Sequence, residues 1–225
     1  MQVPELSLVD AIDSRRSIRR FLPDAVPEAV VRDILERAAR APSGSNIQPW
    51  KVRVVTGAAR QRLVDAVSTI GAPPPEDAEY RYYPDDWFEP YLSRRRACGL
   101  GLYQLLGLTR EDKAGMAAQQ ARNHVLFDAP VGLFFSMDRR MNQGSWLDMG
   151  MFIGNVMLLA RAHGLETCPQ AAWVGHGATI HRVLEMPDDE IFLCAVCLGV
   201  EDVGAPENTL RTDRAPVDEF TLFLR

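Results

Sequence analysis

The sequence has no run of about 18 consecutive apolar residues, the length that a membrane-crossing helix needs. The nearest approach, Met149 to Ala160, is bracketed by Asp148 and Arg161. The opening MQVPELSLVDAIDSRR lacks a basic segment followed by an apolar core, so it does not read as a secretory leader. Cysteine is scarce, with four in 225 residues. That argues against a disulfide scaffold and for a reducing compartment, so a cytoplasmic location is the expectation. Excess positive charge is missing too. The formal net charge is −5, from 25 basic and 30 acidic residues, which argues against a nucleic-acid partner. Lysine is nearly absent: Lys51 and Lys113 stand alone among the arginines.

Familiar catalytic signatures are also missing. Gly99-Leu-Gly101 is not followed by the further glycine of a dinucleotide fingerprint, and no P-loop exists. No serine sits in a G-x-S-x-G elbow. His124, His163, His176 and His181 lack metal-ligand spacing, so no metal is expected. Cys194 and Cys197 do form a C-x-x-C, but inside IFLCAVCLGV, which reads as a strand. Residues three apart on a strand point to opposite faces. The pair is therefore expected in the core, since a redox pair wants a helix N-terminus to lower its thiol pKa.

What is present is an ordinary globular balance, 47% apolar and 24% charged. The length suits one domain over residues 1–225. Helical patterns run over Leu6 to Ser14 and from Pro27 to about Ala41, and Pro42 to Asn46 is a breaker cluster. Lys51 to Thr56 alternates as a strand, and Ala58 to Thr69 reads as a helix. Gly71 to Pro90 holds five prolines among aromatics and acids, a long loop of the kind that forms lids. Helices near Tyr91–Leu106 and Arg110–Asn123 complete an excursion over 71–123. Val131 to Met137 reads as a buried strand. Trp146 to His163 reads as a helix apolar on nearly every side, which points to a dimer interface, with Gly164 as its C-terminal cap. Leu165–Pro169 and Ile191–Val200 read as strands around a helix at Thr179–Glu185. The weak alternation of Val217 to Leu224 suggests a final strand. The whole predicts an α+β or α/β sandwich with one sheet.

Two segments carry chemistry. Arg15-Arg16-Ser17-Ile18-Arg19-Arg20-Phe21 packs forked guanidinium donors and a hydroxyl into seven positions. Such a set suits phosphate oxygens, although a solvated basic face at a helix end is an equal reading. Ala41 to Trp50 presents Ser43, Ser45, Asn46 and Gln48, four hydrogen-bonding side chains in six positions. These suit the edge of a heteroaromatic ring or a polyol, or else merely a turn.

Together, R-R-S-x-R-x-F and A-P-S-x-x-N-x-Q-P-W resemble the nitroreductase family of FMN-dependent oxidoreductases. Gly164-Leu-Glu-Thr-Cys-Pro-Gln-Ala-Ala-Trp173 and the segment Asn208 to Glu219 extend the resemblance over almost the whole chain. It implies a three-layer sandwich, with a central, mostly antiparallel sheet flanked by helices, in an intertwined homodimer. Arg15 and Ser17 match the family's FMN phosphate contacts, with Arg16 near the ribityl chain. Arg19 matches the cation at the pyrimidine edge of the flavin. Pro42, Ser43, Ser45 and Asn46 match a loop that arrives from the partner subunit, and Gln48 matches there more weakly. Gln170, Ala171 and Ala172 match the turn whose backbone N–H groups approach the ring. Some members carry an acid and a glycine where Ala171 and Ala172 stand. Arg214, with Arg211 as helper, matches a second phosphate clamp.

The activity so implied is reduction of nitroaromatics, quinones or related small acceptors. NADH or NADPH is the transient donor, in a ping-pong cycle. The cofactor then carries the chemistry, which accounts for the missing triad and metal signature. Other readings stay open on the same fold: a dehalogenase, an alkene reductase, a flavin-destroying enzyme or a flavin-binding module without turnover. Tyr80, Tyr82, Tyr83, Trp87 and Phe88 either roof the flavin or pack the loop onto its own domain.

Overall fold

The computed structural model describes residues 6–225. Residues 1–5, where the sequence read as leaderless begins, lie outside it. Seven α-helices surround one four-stranded sheet among the described residues. The strands are β1 (Lys51–Thr56), β2 (Val131–Asp138), β3 (Glu166–Gln170) and β4 (Glu190–Gly199). Their order is β1-β2-β4-β3, and every pairing is antiparallel. The α+β sandwich expected from the resemblance is the fold observed.

Alternation along the strands builds two cores, one on each sheet face. On β2, Leu133, Phe135 and Met137 enter the core that α2 (Glu28–Ala38) and α6 (Gln143–Ala162) cover. Phe134 enters the opposite core, with Leu63 and Val67 of α3 (Gly57–Ile70), Ile180 of α7 (Gly177–Val183) and Trp173. Cys197 belongs to this second core and Cys194 packs against the first, so the C-x-x-C is split by the sheet. Burial pushes Cys194 up to about 12 and Cys197 well above the usual thiol range. Gly132 is required where it stands. A Cβ there would lie 2.8 Å from Leu126 and 2.9 Å from Val55.

Helix ends follow local chemistry. Ser7 caps α1 (Leu8–Ser14) by accepting the Asp10 N–H at 3.1 Å. Gly164, at φ 70°, lies just beyond the end of α6, in the left-handed conformation that glycine takes without strain. Most of the 71–123 excursion stands apart from both cores, but Tyr80 packs against the second and donates its hydroxyl to the Leu193 carbonyl at 2.5 Å. The excursion's helix α4 (Tyr91–Leu105) has no buried residue, and α5 (Lys113–Ala121) buries only Gln119.

The C-terminal strand is not observed. Val217–Glu219 is a 3-10 turn, and Phe220, Leu222, Phe223 and Leu224 are 67–86% exposed. Alternation is necessary for a strand but insufficient, because a strand needs an edge to pair with. Among the described residues the tail pairs with neither edge strand of the sheet.

Candidate functional site

The arginine-rich segment runs extended rather than as a helix end. Arg15 caps α1 in an extended conformation, Ser17 bridges Thr167 of β3, and Phe21 bridges Glu201. Side chains therefore alternate. Arg16 turns inward and donates to both carboxylate oxygens of Glu201 at 2.5 and 2.7 Å, and to the Asn208 carbonyl at 3.3 Å. Ile18 is fully buried. Arg20 pairs with Glu207 and Asp128, each at 3.2 Å. The other set, Arg15, Ser17 and Arg19, has no acid partner among the described residues within ion-pair distance. The Arg16 fork is thus engaged by an acid of its own chain.

Arg15 and Arg214 are neighbours. Burial, and then the Arg214 guanidinium, hold Arg15 below the usual arginine range. Arg214 otherwise donates only to Thr212 and to the Asp213 carbonyl, and Arg211 to the Asn208 and Leu210 carbonyls. Two like charges that repel each other are unfavourable alone and favourable around a dianion. This donor set fits the phosphate of the mononucleotide that the resemblance implies.

Asn208 organises the neighbouring strand, a role the sequence reading missed. Its Oδ1 accepts the Arg19 N–H at 2.7 Å, and its Nδ2 donates to the Arg20 and Asp202 carbonyls at 2.8 and 2.9 Å. It is 3% exposed. The only sequence signal was its place at the head of the C-terminal motif.

The turn after β3 is a 3-10 helix, Ala171–His176, in which Ala172 is exposed. The first N–H groups of such a turn have no intrahelical acceptor, so they are available to a ligand. The Gln170 side chain is not available. Its Nε2 donates to Asn123 at 2.9 and 3.1 Å, while its Oε1 accepts from Trp173 Nε1 at 3.1 Å and Cys197 Sγ at 2.9 Å. Gln170 is a brace for this turn. His124 Nε2 lies 3.4 Å from the Ala172 carbonyl, with His176 stacked edge-on behind it at 4.5 Å. Burial, then His124, pushes His176 down to about 4.

The polar loop lies elsewhere in this chain. Pro42, Ser45, Asn46 and Gln48 are exposed, with Ser43 half-buried. Ser45, Asn46 and Gln48 all adopt positive φ, near 50°. Three left-handed non-glycine residues in four positions store strain, a recurrent feature of ligand-contacting loops. Gln48 donates from Nε2 to the Asn46 carbonyl and from its backbone to Ser43 Oγ, so it braces the loop. The Gly44 N–H points at Asp148, near the start of α6. Ser14, beside Arg15, receives Arg161 near the other end of α6. Thirteen helical residues separate these contacts, or about 20 Å. The sheet agrees: the loop leads into edge strand β1, while Ser17 rides on edge strand β3. Within one chain, the loop and the phosphate clamp do not meet.

The comparisons with known proteins agree with this geometry. The Nitroreductase family profile matches residues 12–200. A chloronitrobenzene nitroreductase of Comamonas testosteroni is 39% identical, over 96% of both chains. A 4-nitrobenzoate reductase of Nocardioides sp. (strain LMS-CY) is also 39% identical, over 100% of this chain and 93% of its own. The crystal structure of the FMN and NADPH-dependent nitroreductase NfnB from Sphigopyxis sp. strain HMH superposes with a TM-score of 0.94. It is 41% identical, covering 98% of this chain and 100% of that one. With this sheet, this unpaired arginine set and likeness along nearly its whole length, the chain belongs to the nitroreductase family.

Proposed function

We propose that the protein is an FMN-dependent oxidoreductase that uses NADH or NADPH to reduce nitroaromatics, quinones or related small acceptors. The observation that carries this reading is Arg15, Ser17 and Arg214 without an acid partner among the described residues, the first two on the segment bridged to β3, whose following turn exposes Ala172. Relatives named for chloronitrobenzene and 4-nitrobenzoate share nearly the full length, which supports the acceptor class. FMN, when bound, supplies two-electron chemistry between nicotinamide and acceptor.

The residues do the rest. Arg15, Ser17 and Arg214 grip the phosphate, with Arg211 adding charge from the same turn. The Arg19 guanidinium, which meets no acid among the described residues, would lie toward the ring's pyrimidine edge when FMN is bound and would favour its reduced, more negative state. The backbone at Ala171 and Ala172 donates to the ring, and Gln170 and His124 keep that backbone in place. No side chain of this set is a general acid, so acceptor protonation draws on water at the open face. Donor and acceptor use that face in turn, which gives ping-pong kinetics.

The working unit is a homodimer. A partner supplies the loop containing Pro42, Ser43, Ser45 and Asn46, because the same loop lies about 20 Å away within one chain. On α6, Leu147 and Met151 are 72% and 40% exposed, forming part of an uncovered apolar stripe. Residues 1–225 act as one cytoplasmic FMN-binding domain, with 71–123 as a lid. The direct test is to add NADPH or NADH anaerobically to the purified yellow holoprotein. Bleaching of the visible flavin absorbance, restored by a nitroaromatic, is the expected result. A colourless protein that ignores added FMN, or bound flavin that neither nicotinamide bleaches, would sink the reading.

A further inference from the structure

The 71–123 excursion and Arg19 enclose a cavity of about 1100 Å³ whose lining is one-sided in charge. Arg19, Arg95, Arg96, Arg110 and Lys113 line it, and no aspartate or glutamate does. None of the five has an ion-pair partner among the described residues, whereas their neighbours do. Arg94 pairs with Glu219 at 3.0 Å, and Arg81 pairs with Asp85. Acids are therefore at hand in this region and are used outside the cavity. Glu111, held below the usual carboxylate range first by its hydrogen bond with Thr109 and also by Lys113 and Arg110, offsets part of that charge, and the cavity keeps a cationic excess. Cations gathered around one cavity repel one another even where water reaches them, and an entering anion relieves that repulsion.

The walls say what else the ligand carries. Tyr83, Trp87 and Tyr103 line the same cavity, with leucine side chains from α4. The Arg95 guanidinium lies over the Trp87 ring, 4.6 Å from its centroid, and 5.9 Å from that of Tyr83. Stacking of this kind fixes the plane of a guanidinium and leaves its N–H edge free for a two-oxygen anion. The cavity reaches the reacting face, because α4 packs on the turn before the C-terminal clamp. A Cβ on Gly101 would lie 3.2 Å from Leu210, and the adjacent Asn208 holds the Arg19 backbone.

Building on the reading above, we propose that this cavity selects acceptors that are aromatic acids, the ring held by Tyr83, Trp87 and Tyr103 and the carboxylate by Arg95, Arg110 and Lys113. The nitro group then faces the reacting surface, and the carboxylate lies outward among the cations. A dinucleotide phosphate offers the same kind of oxygen anion, but it brings no aromatic ring directly bearing the charge. The mixture of aromatic walls and cations favours the acid.

The test uses the holoenzyme and a matched pair, 4-nitrobenzoate and its neutral methyl ester. The wild type is expected to show kcat/KM at least tenfold higher for the acid. That excess should shrink as ionic strength rises, since the cations are largely exposed. In an Arg110→Gln/Lys113→Gln double variant the acid's kcat/KM falls about tenfold, in line with losing charged hydrogen bonds at a partly wet site. The ester's value changes less than twofold, and flavin content per subunit confirms a folded protein. Anaerobic bleaching by NADPH keeps its rate. Equal use of acid and ester by the wild type would overturn the proposal. So would a double variant that bleaches slowly with NADPH yet keeps the acid preference, because the cations would then serve the dinucleotide. A wild type that no nicotinamide reduces fails one step earlier, in the reductive half-reaction, and identifies the underlying reading as the fault.

Discussion

At the scale of single residues, the arginine segment separates into two jobs by parity. Arg15→Ala removes a ligand-facing cation and relieves its repulsion with Arg214, so stability should change by less than about 0.5 kcal/mol. FMN affinity should fall tenfold or more, by the ordinary worth of a charged hydrogen bond. Arg16→Ala should do the reverse. It strands the Glu201 carboxylate, which is mostly buried, at a cost of about 3 kcal/mol. Thermal melts and FMN titrations on the two variants check the crossover, and equal effects on both would refute it. The sequence showed that arginines clustered here but not which ones faced outward. That depended on the chain running extended beside β3, a non-local contact invisible to local periodicity. Two buried titrating groups add opposite pH slopes. Burial chiefly raises Glu166 to about 7, despite the opposing Arg161. The folded chain therefore keeps a proton that the unfolded chain releases above about 4.5, and stability declines as pH rises towards 7. His176, held down to about 4, makes stability decline as pH falls below about 6.5. Between about pH 5 and 6.5 the two offset each other. Glu166→Gln should expose the histidine slope, with melting temperature falling toward acid, and a profile unchanged from wild type would count against this balance.

At the scale of elements, the strand and helix set was largely legible, because each had a strong local pattern. Lys51–Thr56, Val131–Asp138 and Glu190–Gly199 lie within a residue or so of their expected spans. The buried helix starts three residues earlier than its apolar run, at Gln143, since polar residues can occupy a first turn. The tail failed for the opposite reason: its alternation was real, but pairing is decided by an available edge. The loop at 42–48 was legible as a breaker cluster, and asparagine readily takes positive φ as Asn46 does, yet left-handed Ser45 and Gln48 were not legible, since neither serine nor glutamine advertises positive φ. Gly132 offers a sharper test of an element. Gly132→Ala drives a methyl into Leu126 and Val55 near the start of β2 and should cost about 1–3 kcal/mol, read from denaturant melts. A neutral result would mean that β2 can shift, which its pairing on both sides opposes.

At the scale of the whole molecule, the site is divided by the length of α6. The clamp of Arg15, Ser17 and Arg214 sits at one end, and the strained loop sits at the other. In the proposed homodimer, a two-fold axis across α6 would bring each loop to the partner's clamp, so the face that associates would also be the face that completes two sites. Leu147 and Met151 lie one turn apart on that face, exposed in the single chain. Replacing both by glutamate adds two charges per subunit where the helices meet, and unpaired charges inside a desolvated interface cost several kcal/mol. Neither side chain enters the two cores, so the fold of each subunit should survive. Sedimentation should then report a monomer of about 25 kDa with native far-ultraviolet dichroism. Flavin should be lost with the dimer, because half of each site has left with the partner. A stable monomer that still binds FMN with wild-type affinity would show that one chain builds the whole site, and the intersubunit role of residues 42–48 would have to be abandoned.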